Sequence, residues 1–360
     1  MDGRRSRLHL QTIAWAGRRD PPEDDLHRHQ LSRSLLTADL RASITIPTYN
    51  RRAVLLETLA SLEHQSVPPE RYEVIVAVDG STDGTVAALA GMQPAYKLRW
   101  LYQQNGGAVV AANAAGRRAR YDVLIVLGDD QLASPDLVAA HLEAHERLGP
   151  VLVQGDYPLA PSHGSCGASL VYERSRRASM SALVTNGSAS WHVWGGNFSI
   201  RRDTWLAVGG WDETFVAYGG EDTDLGLRVA ALGIPFVFEP RALAYHMHAV
   251  SPRRYGQHAF SEGRAVVRVA RKHGLALEAF SGGTLRGPFD WCVARGWRWS
   301  SGAMDRLGRL LTTGLETADV IKVRPAQVFA ARLVRRFFRV GGMTREIGSG
   351  IRAEARPDGV

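Results

Sequence analysis

The stretch that most constrains the fold is an apolar run at residues 123–127, Val-Leu-Ile-Val-Leu, followed by Gly128, Asp129 and Asp130. Consecutive Val, Ile and Leu residues without alternation predict a strand that is covered on both faces, as in a parallel sheet flanked by helices. Ligands of such sheets bind at the carboxyl ends of the strands. The two carboxylates are therefore predicted to lie at a ligand site, although a solvated turn would explain them equally well on this stretch alone.

The residues before this stretch repeat a rhythm of strand and helix. Apolar runs at 43–46, 73–78, 98–102 and 123–127 are predicted strands, and Leu, Val and Ala residues at helical spacing lie between them. Strands that alternate with helices predict βαβ units. We therefore predict an α/β fold with a mostly parallel central sheet flanked by helices.

Beyond residue 130 the pattern is less regular. Helices are predicted at 136–148, 202–208 and 221–232, and strands at 151–153, 191–201, 235–238 and 243–245. The small residues of 162–189 give no assignment, and the chain after Ser251 is predicted to be mainly helical with a Gly- and Trp-rich interruption at 282–302. Residues 1–41 show no sustained period and are predicted to be a partly disordered extension.

The charge of the chain favours anionic partners. A formal net charge of +8 and a pI near 9.8 suit nucleotide phosphates, nucleic acid or an anionic membrane surface, without choosing among them. Two cysteines, Cys166 and Cys292, cannot by themselves build a disulfide framework or a zinc site, so a reducing, cytoplasmic setting is expected. No stretch reaches the roughly 20 apolar residues of a membrane-spanning helix.

Polar and glycine-rich motifs follow the predicted strands or begin the predicted helices. They are Pro47-Thr48-Tyr49-Asn50-Arg51, Val78-Asp79-Gly80-Ser81-Thr82-Asp83-Gly84, Asp129-Asp130, Trp194-Gly195-Gly196-Asn197-Phe198-Ser199 and Gly219-Gly220-Glu221-Asp222-Thr223-Asp224. Free N–H groups at a helix start favour anions, although an ordinary helix cap explains the first motif too. Asp79 ends a buried strand, where it could accept a hydrogen bond from a nucleobase N–H.

Two pairs of neighbouring carboxylates are the candidates for chemistry. Asp129 and Asp130 are hard oxygen ligands, and beside a diphosphate they predict Mg²⁺ or Mn²⁺ rather than zinc. Glu221 and Asp222 lie in the first turn of a predicted helix, where the dipole favours acids, but an acid held there beside Trp and Gly is also a candidate general base.

His246 and His248 share one face of a predicted strand. Either could complete a metal site with Asp130, although a single His is more often structural.

The order of these motifs resembles a family 2 glycosyltransferase of GT-A fold. The matching motifs are Ile44-Thr45-Ile46-Pro47-Thr48-Tyr49-Asn50, Val78-Asp79-Gly80-Ser81-Thr82-Asp83, Asn105-Gly106-Gly107 to Asn113, Gly128-Asp129-Asp130 and Gly219-Gly220-Glu221-Asp222. The segment 194–199 with Glu221 and Asp222 also resembles the acceptor half of galactosyl- and N-acetylgalactosaminyltransferases. The resemblance implies a nucleotide-sugar half at 42–130, an acceptor half at 131–250 and a helical C-terminal region at 251–360.

The resemblance also implies a role for each motif. Donor-binding residues would be Pro47, Thr48, Tyr49, Asn50, Asp79, Asn105, Gly107, Asn113 and Asp129, with Pro47, Tyr49 and Asp79 on the nucleoside. Mn²⁺ or Mg²⁺ would be bound by Asp130, with Asp129 and His246. Asp222 would deprotonate the acceptor beside Glu221, and Trp194, Gly195, Gly196 and Asn197 would bind the acceptor.

The implied reaction is a metal-dependent, inverting transfer of a hexosyl or N-acetylhexosaminyl group from a nucleotide sugar, with a UDP-sugar as the expected donor. The acceptor would be a glycan, a small molecule, a peptide or a lipid-linked sugar, and nucleic acid is not an expected partner. Ala112 stands where the family often has Arg, and Gly128 replaces the first acid of the usual acid-any-acid triplet. Both departures concern the diphosphate contacts rather than the fold.

Other functions stay open at this point. A nucleotidyltransferase of similar α/β fold and an inactive GT-A-fold binding protein are the alternatives, whereas a dinucleotide oxidoreductase is disfavoured because no GxGxxG follows the first strand. Near the C-terminus, Arg332, Arg335, Arg336 and Arg339 alternate with Phe337 and Phe338. Such a helix either makes peripheral contact with anionic lipid or packs its apolar stripe on the domain.

Overall fold

A mixed sheet organises the fold. The computed structural model describes residues 39–161, 163, 165–186, 193–247, 250–280, 285 and 287–354. Within these ranges the sheet has eight strands: β1 Ala42–Thr48, β2 Tyr72–Asp79, β3 Lys97–Gln103, β4 Val123–Leu127, β5 Gln131–Ala133, β6 Leu152–Asp156, β7 Asn197–Arg201 and β8 Phe236–His246. Their order across the sheet is β3-β2-β1-β4-β7-β6-β8-β5. Most of the predicted N-terminal extension, residues 1–38, and His248 lie outside the described residues.

The four strands predicted from the first apolar runs form the parallel part of the sheet. β1 pairs in parallel with β2 and β4, and β2 pairs in parallel with β3. β7 runs antiparallel to both β4 and β6, and β8 is parallel to β6. Every residue of β2 and β4 is buried, so the prediction of strands covered on both faces is confirmed. The motifs that follow β1, β2 and β4 consequently meet at one edge of the sheet.

Helices cover both faces of the sheet and continue to the end of the described chain. They are α1 Arg52–Ser61, α2 Thr85–Gly91, α3 Ala108–Arg117, α4 Leu137–Leu148, α5 Gly167–Asn186, α6 Arg202–Val208, α7 Glu221–Ala231, α8 Pro252–Lys272, α9 Leu277–Phe280, α10 Pro288–Trp299, α11 Ser301–Ile321 and α12 Arg324–Glu354. Helices α1, α4, α6 and α7 begin within one residue of the predicted positions.

Helix α5, Gly167–Asn186, lies within the segment 162–189, for which no element was predicted. It buries Val171, Met180 and Leu183, but Ser, Arg and Ala residues separate them. An apolar stripe this sparse does not produce a clear helical period. The helix is therefore visible only in the structure, and it carries a side chain of the candidate site.

The structure changes two other predictions about the second half. The strands predicted at 235–238 and 243–245 are confirmed from Phe236 onward, but they are parts of the single strand β8, which contains Pro240 where the register with β6 shifts between Gly155 and Asp156. The predicted interruption at 282–302 is largely helix, because α10 and the start of α11 lie there. Trp297 on α10 is buried against Phe337, so the Trp-rich composition reflects packing.

The C-terminal helix packs along α8 with very close backbone approach. A Cβ added at Gly263 would lie 2.1 Å from the carbonyl oxygen of Arg339, so only glycine fits there. Phe337 is buried, and Arg335 donates to Glu262 at 3.0 Å. The apolar stripe of α12 thus packs on the protein, which is the second of the two alternatives predicted for this helix. No helix in the described part of the chain is long and apolar enough to cross a bilayer.

Candidate active site

A cleft of about 770 Å³ opens where β1, β2 and β4 end. Its lining includes the following predicted site residues: Pro47, Thr48, Tyr49, Asp79, Asn105, Gly107, Asp129, Asp130, Gly195, Gly196, Glu221 and Asp222. Side chains to which the sequence assigned no role also line it, namely Arg51, Trp211, Tyr218, Arg254 and Glu262. The two predicted acid pairs therefore share one cavity.

Arg51 bridges the two carboxylates that follow β4. Its Nη1 lies 2.9 Å from Asp129 Oδ1, and its Nη2 lies 2.7 Å from Asp130 Oδ2. Thr48 Oγ1 donates to Asp129 Oδ2 at 2.8 Å. The carboxylate side chains are only 8% and 13% exposed, whereas that of Arg51 is 43% exposed. One guanidinium thus offsets the charge of a buried acid pair.

The pKa values of these two acids move in opposite directions. Burial raises the pKa of Asp129 to about 6, against the opposing charge of Arg51. Burial also acts to raise the pKa of Asp130, but hydrogen bonding and charge from His246 and Arg51 outweigh it and hold that pKa far below its usual range. Asp130 is therefore an anion near neutral pH.

His246, at the end of β8, is oriented towards Asp130 by a tyrosine from α5. His246 Nε2 lies 3.2 Å from Asp130 Oδ2, and His246 Nδ1 lies 3.2 Å from the Tyr172 hydroxyl. Tyr172 donates its own hydrogen to the carbonyl oxygen of Tyr157 at 3.2 Å. Because that hydrogen is used, the Tyr172 oxygen accepts from Nδ1–H, and His246 presents Nε2 to Asp130.

The side chains of Asp130 and His246 fit a divalent cation that takes its remaining ligands from a phosphate and from water. No group of three or more His, Cys, Asp or Glu side chains in the described part of the chain could hold a metal ion. Asp130 and His246 nevertheless point an oxygen and a nitrogen at each other across 3.2 Å. Mg²⁺ and Mn²⁺ bound with nucleotides commonly take one or two protein ligands and complete their shell with phosphate oxygens and water.

Asp79, at the end of β2, shapes the cleft by holding a glycine loop. Its Oδ1 accepts from Gln103 Nε2 at 2.8 Å and from Gly106 N at 2.9 Å, and its Oδ2 accepts from Gly107 N at 2.9 Å. Gly107 has a φ of 96°, which favours glycine. Contact between Asp79 and a nucleobase stays a prediction, whereas its contact with this loop is shown.

The structure does not bring Asn50 or Asn113 to the cleft wall. Asn50 Oδ1 accepts from Thr82 N at 2.8 Å, which ties the motif after β1 to the motif after β2. Asn113 is buried, and its Nδ2 and Oδ1 bond the backbone oxygen and nitrogen of Trp211 at 2.8 and 2.9 Å. Each thus joins two neighbouring segments of the site, and its predicted contact with the donor stays a prediction.

Asn197 and Trp194 also lie away from the cleft lining, and their predicted contact with the acceptor stays a prediction. Asn197 is fully buried, and its Nδ2 donates to the carbonyl oxygen of Ala242 at 2.8 Å, so it joins β7 to β8. Trp194 is not part of the cleft lining; its ring packs with those of Tyr157 and Tyr172 at centroid distances of 6.0 and 5.6 Å. Of the predicted acceptor motif, Gly195 and Gly196 alone line the cleft.

Asp222 is held at the start of α7 by two uncharged donors. Its Oδ2 accepts from Gly195 N at 3.0 Å, and its Oδ1 accepts from Trp211 Nε1 at 3.3 Å. A Cβ at position 195 would lie 2.3 Å from Asp222 Oδ2, so the glycine makes room for the carboxylate. Burial raises the pKa of Asp222 to about 6, although both hydrogen bonds oppose this shift.

Glu221 is the less constrained acid of this pair. Burial and the neighbouring charge of Asp222 raise its pKa to about 8. Its Oε2 is buried without a hydrogen-bond partner among the described residues. An acid with a free oxygen in the cleft and a raised pKa can hydrogen-bond a ligand hydroxyl.

The residues that sequence reasoning missed came from segments with weak patterns. Tyr172 lies on the unassigned helix α5, and Trp211 follows the Gly pair that ends α6. Arg254 and Glu262 lie on α8, beyond the stretch covered by the motifs. Arg51 stood inside a quoted motif, but nothing in its spacing indicates that it reaches the acids 78 and 79 positions later.

Comparison with known proteins agrees with this architecture. Residues 43–203 match Glycosyl transferase family 2, and residues 178–250 match the family described as the N-terminal domain of galactosyltransferase. The chain is 30% identical to a validoxylamine A glucosyltransferase of Streptomyces hygroscopicus subsp. limoneus, over 69% of this chain and 60% of that protein. It is 28% identical to a chondroitin synthase of Escherichia coli, over 64% of this chain and 37% of that protein. The chain thus spans less than two thirds of the length of these curated relatives.

A solved structure supports the fold assignment. The mannosyltransferase PcManGT from Pyrobaculum calidifontis, in complex with GDP-Man and Mn²⁺, aligns with a TM-score of 0.63 at 18% identity. The alignment covers 90% of this chain and 94% of that one. The predicted GT-A fold is confirmed.

Proposed function

We propose that this chain, a glycosyltransferase whose family 2 domain spans residues 43–203, moves a sugar from a nucleoside diphosphate donor to an acceptor hydroxyl by a single, inverting displacement. The observation that carries the proposal is the presence of two acid pairs in one cleft, Asp129–Asp130 beside cations and Glu221–Asp222 beside uncharged donors. The pair Asp129–Asp130 suits the leaving diphosphate, and the pair Glu221–Asp222 suits the attacking hydroxyl.

On the donor side, Asp130 and His246 would hold Mn²⁺ or Mg²⁺, with Asp129 beside them. A bound divalent cation would offset the charge that builds on the departing diphosphate. Pro47, Tyr49, Asn105 and the glycine loop held by Asp79 would bind the nucleoside. Residues 42–130 would therefore form the donor half of the domain.

On the acceptor side, Asp222 would accept the proton of the acceptor hydroxyl while Glu221 binds the acceptor. The raised pKa of Asp222, about 6, makes the carboxylate more basic than an ordinary aspartate and is still low enough to leave it mostly ionised near neutral pH. Gly195 N and Trp211 Nε1 fix its orientation, so the oxygen can be held in line with the sugar carbon. Residues 131–250 would form most of this half, with Arg254 and Glu262 added by α8.

The donor sugar and base follow only from relatives. One relative is a validoxylamine A glucosyltransferase, and the superposed mannosyltransferase binds GDP-Man. A UDP-sugar stays our expected donor on the motif resemblance, and the acceptor would be a glycan, a small molecule, a peptide or a lipid-linked sugar. A cytoplasmic setting stays an expectation from the cysteine content.

The experiment is a panel of nucleotide sugars tested for thermal stabilisation with and without Mn²⁺, followed by donor hydrolysis. A ligand that binds the native state raises its stability by mass action. We expect one UDP-sugar to stabilise the protein only with the metal, and free sugar to be released slowly. Stabilisation without any sugar release would favour an inactive binding protein, and an Asp79→Ala variant that still prefers the same base would remove Asp79 from base recognition.

A peripheral contact with anionic lipid would use a different face of α12 from the one predicted. Phe337 is buried, whereas Phe329 is 70% exposed and Arg332 is exposed. We therefore place any lipid contact on Phe329 and Arg332. Sedimentation with anionic vesicles at low salt tests it, and equal pelleting of the Phe329→Ser variant and the parent would exclude this face.

A further inference from the structure

The guanidinium of Arg51 occupies the oxygens that a metal ion would need. It bonds Asp130 Oδ2 at 2.7 Å, the same atom that lies 3.2 Å from His246 Nε2, and it bonds Asp129 Oδ1 at 2.9 Å. A planar, bidentate donor fits such a pair of carboxylates well. The guanidinium therefore contacts both acids at once. A divalent ion and Arg51 cannot bind these acids together without rearrangement.

The surroundings of Arg51 allow it to leave. Its side chain is 43% exposed and forms part of the cleft wall, whereas the acids are nearly buried. It is the last residue of the motif after β1 and immediately precedes α1. A long side chain anchored at the wall can turn from the acids towards an anion in the cleft.

We propose that Arg51 is an exchangeable counter-cation: it competes with the divalent ion for Asp129 and Asp130, and it contacts the donor diphosphate once displaced. The proposal rests on the proposed function. It predicts that one substitution changes the affinities for two ligands in opposite directions. Removing Arg51 leaves two adjacent carboxylates under-compensated, which favours the metal, but it also removes a cation from the phosphate site, which disfavours the nucleotide.

The test is calorimetry on Arg51→Gln, titrated first with Mn²⁺ alone and then with UDP at saturating Mn²⁺. We expect Mn²⁺ alone to bind Arg51→Gln at least about tenfold more tightly than it binds the parent, which is within the range usual for coupled sites. We expect UDP to bind the variant several-fold more weakly than it binds the parent. The matched control is Arg52→Gln, which removes the same charge one residue later. Arg52 joins Asp83 through its backbone N–H at 2.8 Å, so its side chain is not needed there, and both affinities should be unchanged.

The outcomes separate this proposal from the function on which it rests. If the parent binds UDP only with Mn²⁺ but Arg51→Gln leaves or weakens the affinity for Mn²⁺ alone, the counter-cation role is overturned and the metal-dependent function stands. If no variant binds UDP more tightly with Mn²⁺, both fail. Should Arg51→Gln not fold, Arg51→Met takes its place: it keeps a long side chain without the charge, so Mn²⁺ should again bind more tightly than to the parent, and an unchanged affinity would overturn the proposal.

Discussion

The two acid pairs of the cleft have the same chemical groups and opposite environments. Asp129 and Asp130 contact the guanidinium of Arg51, and Asp130 also faces His246. Asp222 instead accepts hydrogen bonds from the uncharged N–H groups of Gly195 and Trp211. Asp129 and Asp130 are buried and Glu221 and Asp222 are partly buried, but burial acts to raise the pKa in both pairs, so burial alone does not distinguish them. The partners do: cations hold the pKa of Asp130 low, whereas burial keeps that of Asp222 raised.

This difference in environment would let one cleft serve both the leaving group and the attacking group of a displacement. A carboxylate that stays charged beside exchangeable cations suits a leaving diphosphate and its counter-ion. A carboxylate with a pKa near 6 is a better proton acceptor, because general-base efficiency rises as the pKa approaches the working pH. Substituting the residues of each pair in turn tests this assignment of roles to the two acid pairs.

The largest expected effect is on turnover in Asp222→Asn. The amide keeps the shape of the side chain but cannot accept the proton, and loss of a general base typically lowers the rate by ~10²–10⁴-fold. Donor affinity should barely change, because the base acts mainly in the transition state. Initial rates and UDP calorimetry provide the two measurements. Near-parental turnover here, with loss in Glu221→Gln, would reverse the roles of the two acids.

The next effect concerns the other pair. Asp130→Ala should abolish the Mn²⁺-dependent part of UDP binding, since it removes the carboxylate that is anionic and faces His246. The measurement is UDP affinity with Mn²⁺ and with a chelator. Unchanged affinity in the presence of Mn²⁺ would contradict the metal assignment, and Asp222→Asn is the control that should keep this dependence.

A smaller effect is expected from Tyr172→Phe, which removes the hydroxyl that accepts from His246 Nδ1. Partners that orient a metal-binding His typically contribute ~10–100-fold in metal affinity. Tyr157→Phe is the matched control, because its ring packs 6.0 Å from that of His246 but its hydroxyl is not the one that contacts Nδ1. Equal Mn²⁺ affinities for the two variants would show that Tyr172 does not orient the histidine.

The sequence predicts the donor side better than the acceptor side, for a physical reason. Buried parallel strands are continuous apolar runs, and the groups that bind a ligand follow them directly, so β1, β2 and β4 reveal both the fold and Asp79, Asp129 and Asp130. The proposed acceptor side also draws on the loop after α6 and on part of α8, and the tyrosine that faces His246 comes from the sparse helix α5. Tyr172, Trp211 and Arg254 come from these elements, and no local period marks them.

The asparagines show a second limit of sequence reasoning. Asn113 and Asn197 stand in motifs that resemble ligand-binding segments, yet both are buried and bond backbone atoms of neighbouring elements. A residue can matter for a site because it fixes the chain that carries the functional group. Only the three-dimensional contacts, such as those of Asn113 with Trp211, separate this role from direct binding.

The smallest expected effect is in the pH dependence of turnover, and it compares the two pairs directly. A general base works only when it is unprotonated, so the rate constant should fall as the pH drops through its pKa. If Asp222 is the base, kcat at saturating donor should be flat at high pH and fall about tenfold per pH unit below about pH 6. Burial raises the pKa of both Glu221 and Asp222, and neighbouring acids titrate together, so the two variants rather than the midpoint of the fall assign the base. Asp129 also has a pKa of about 6, but it lies on the donor side. Its protonation should weaken donor binding and leave kcat at saturating donor unchanged, so measuring donor affinity over the same pH range separates the two pairs. Glu221→Gln should retain the fall in kcat; its disappearance in that variant would transfer the base to Glu221.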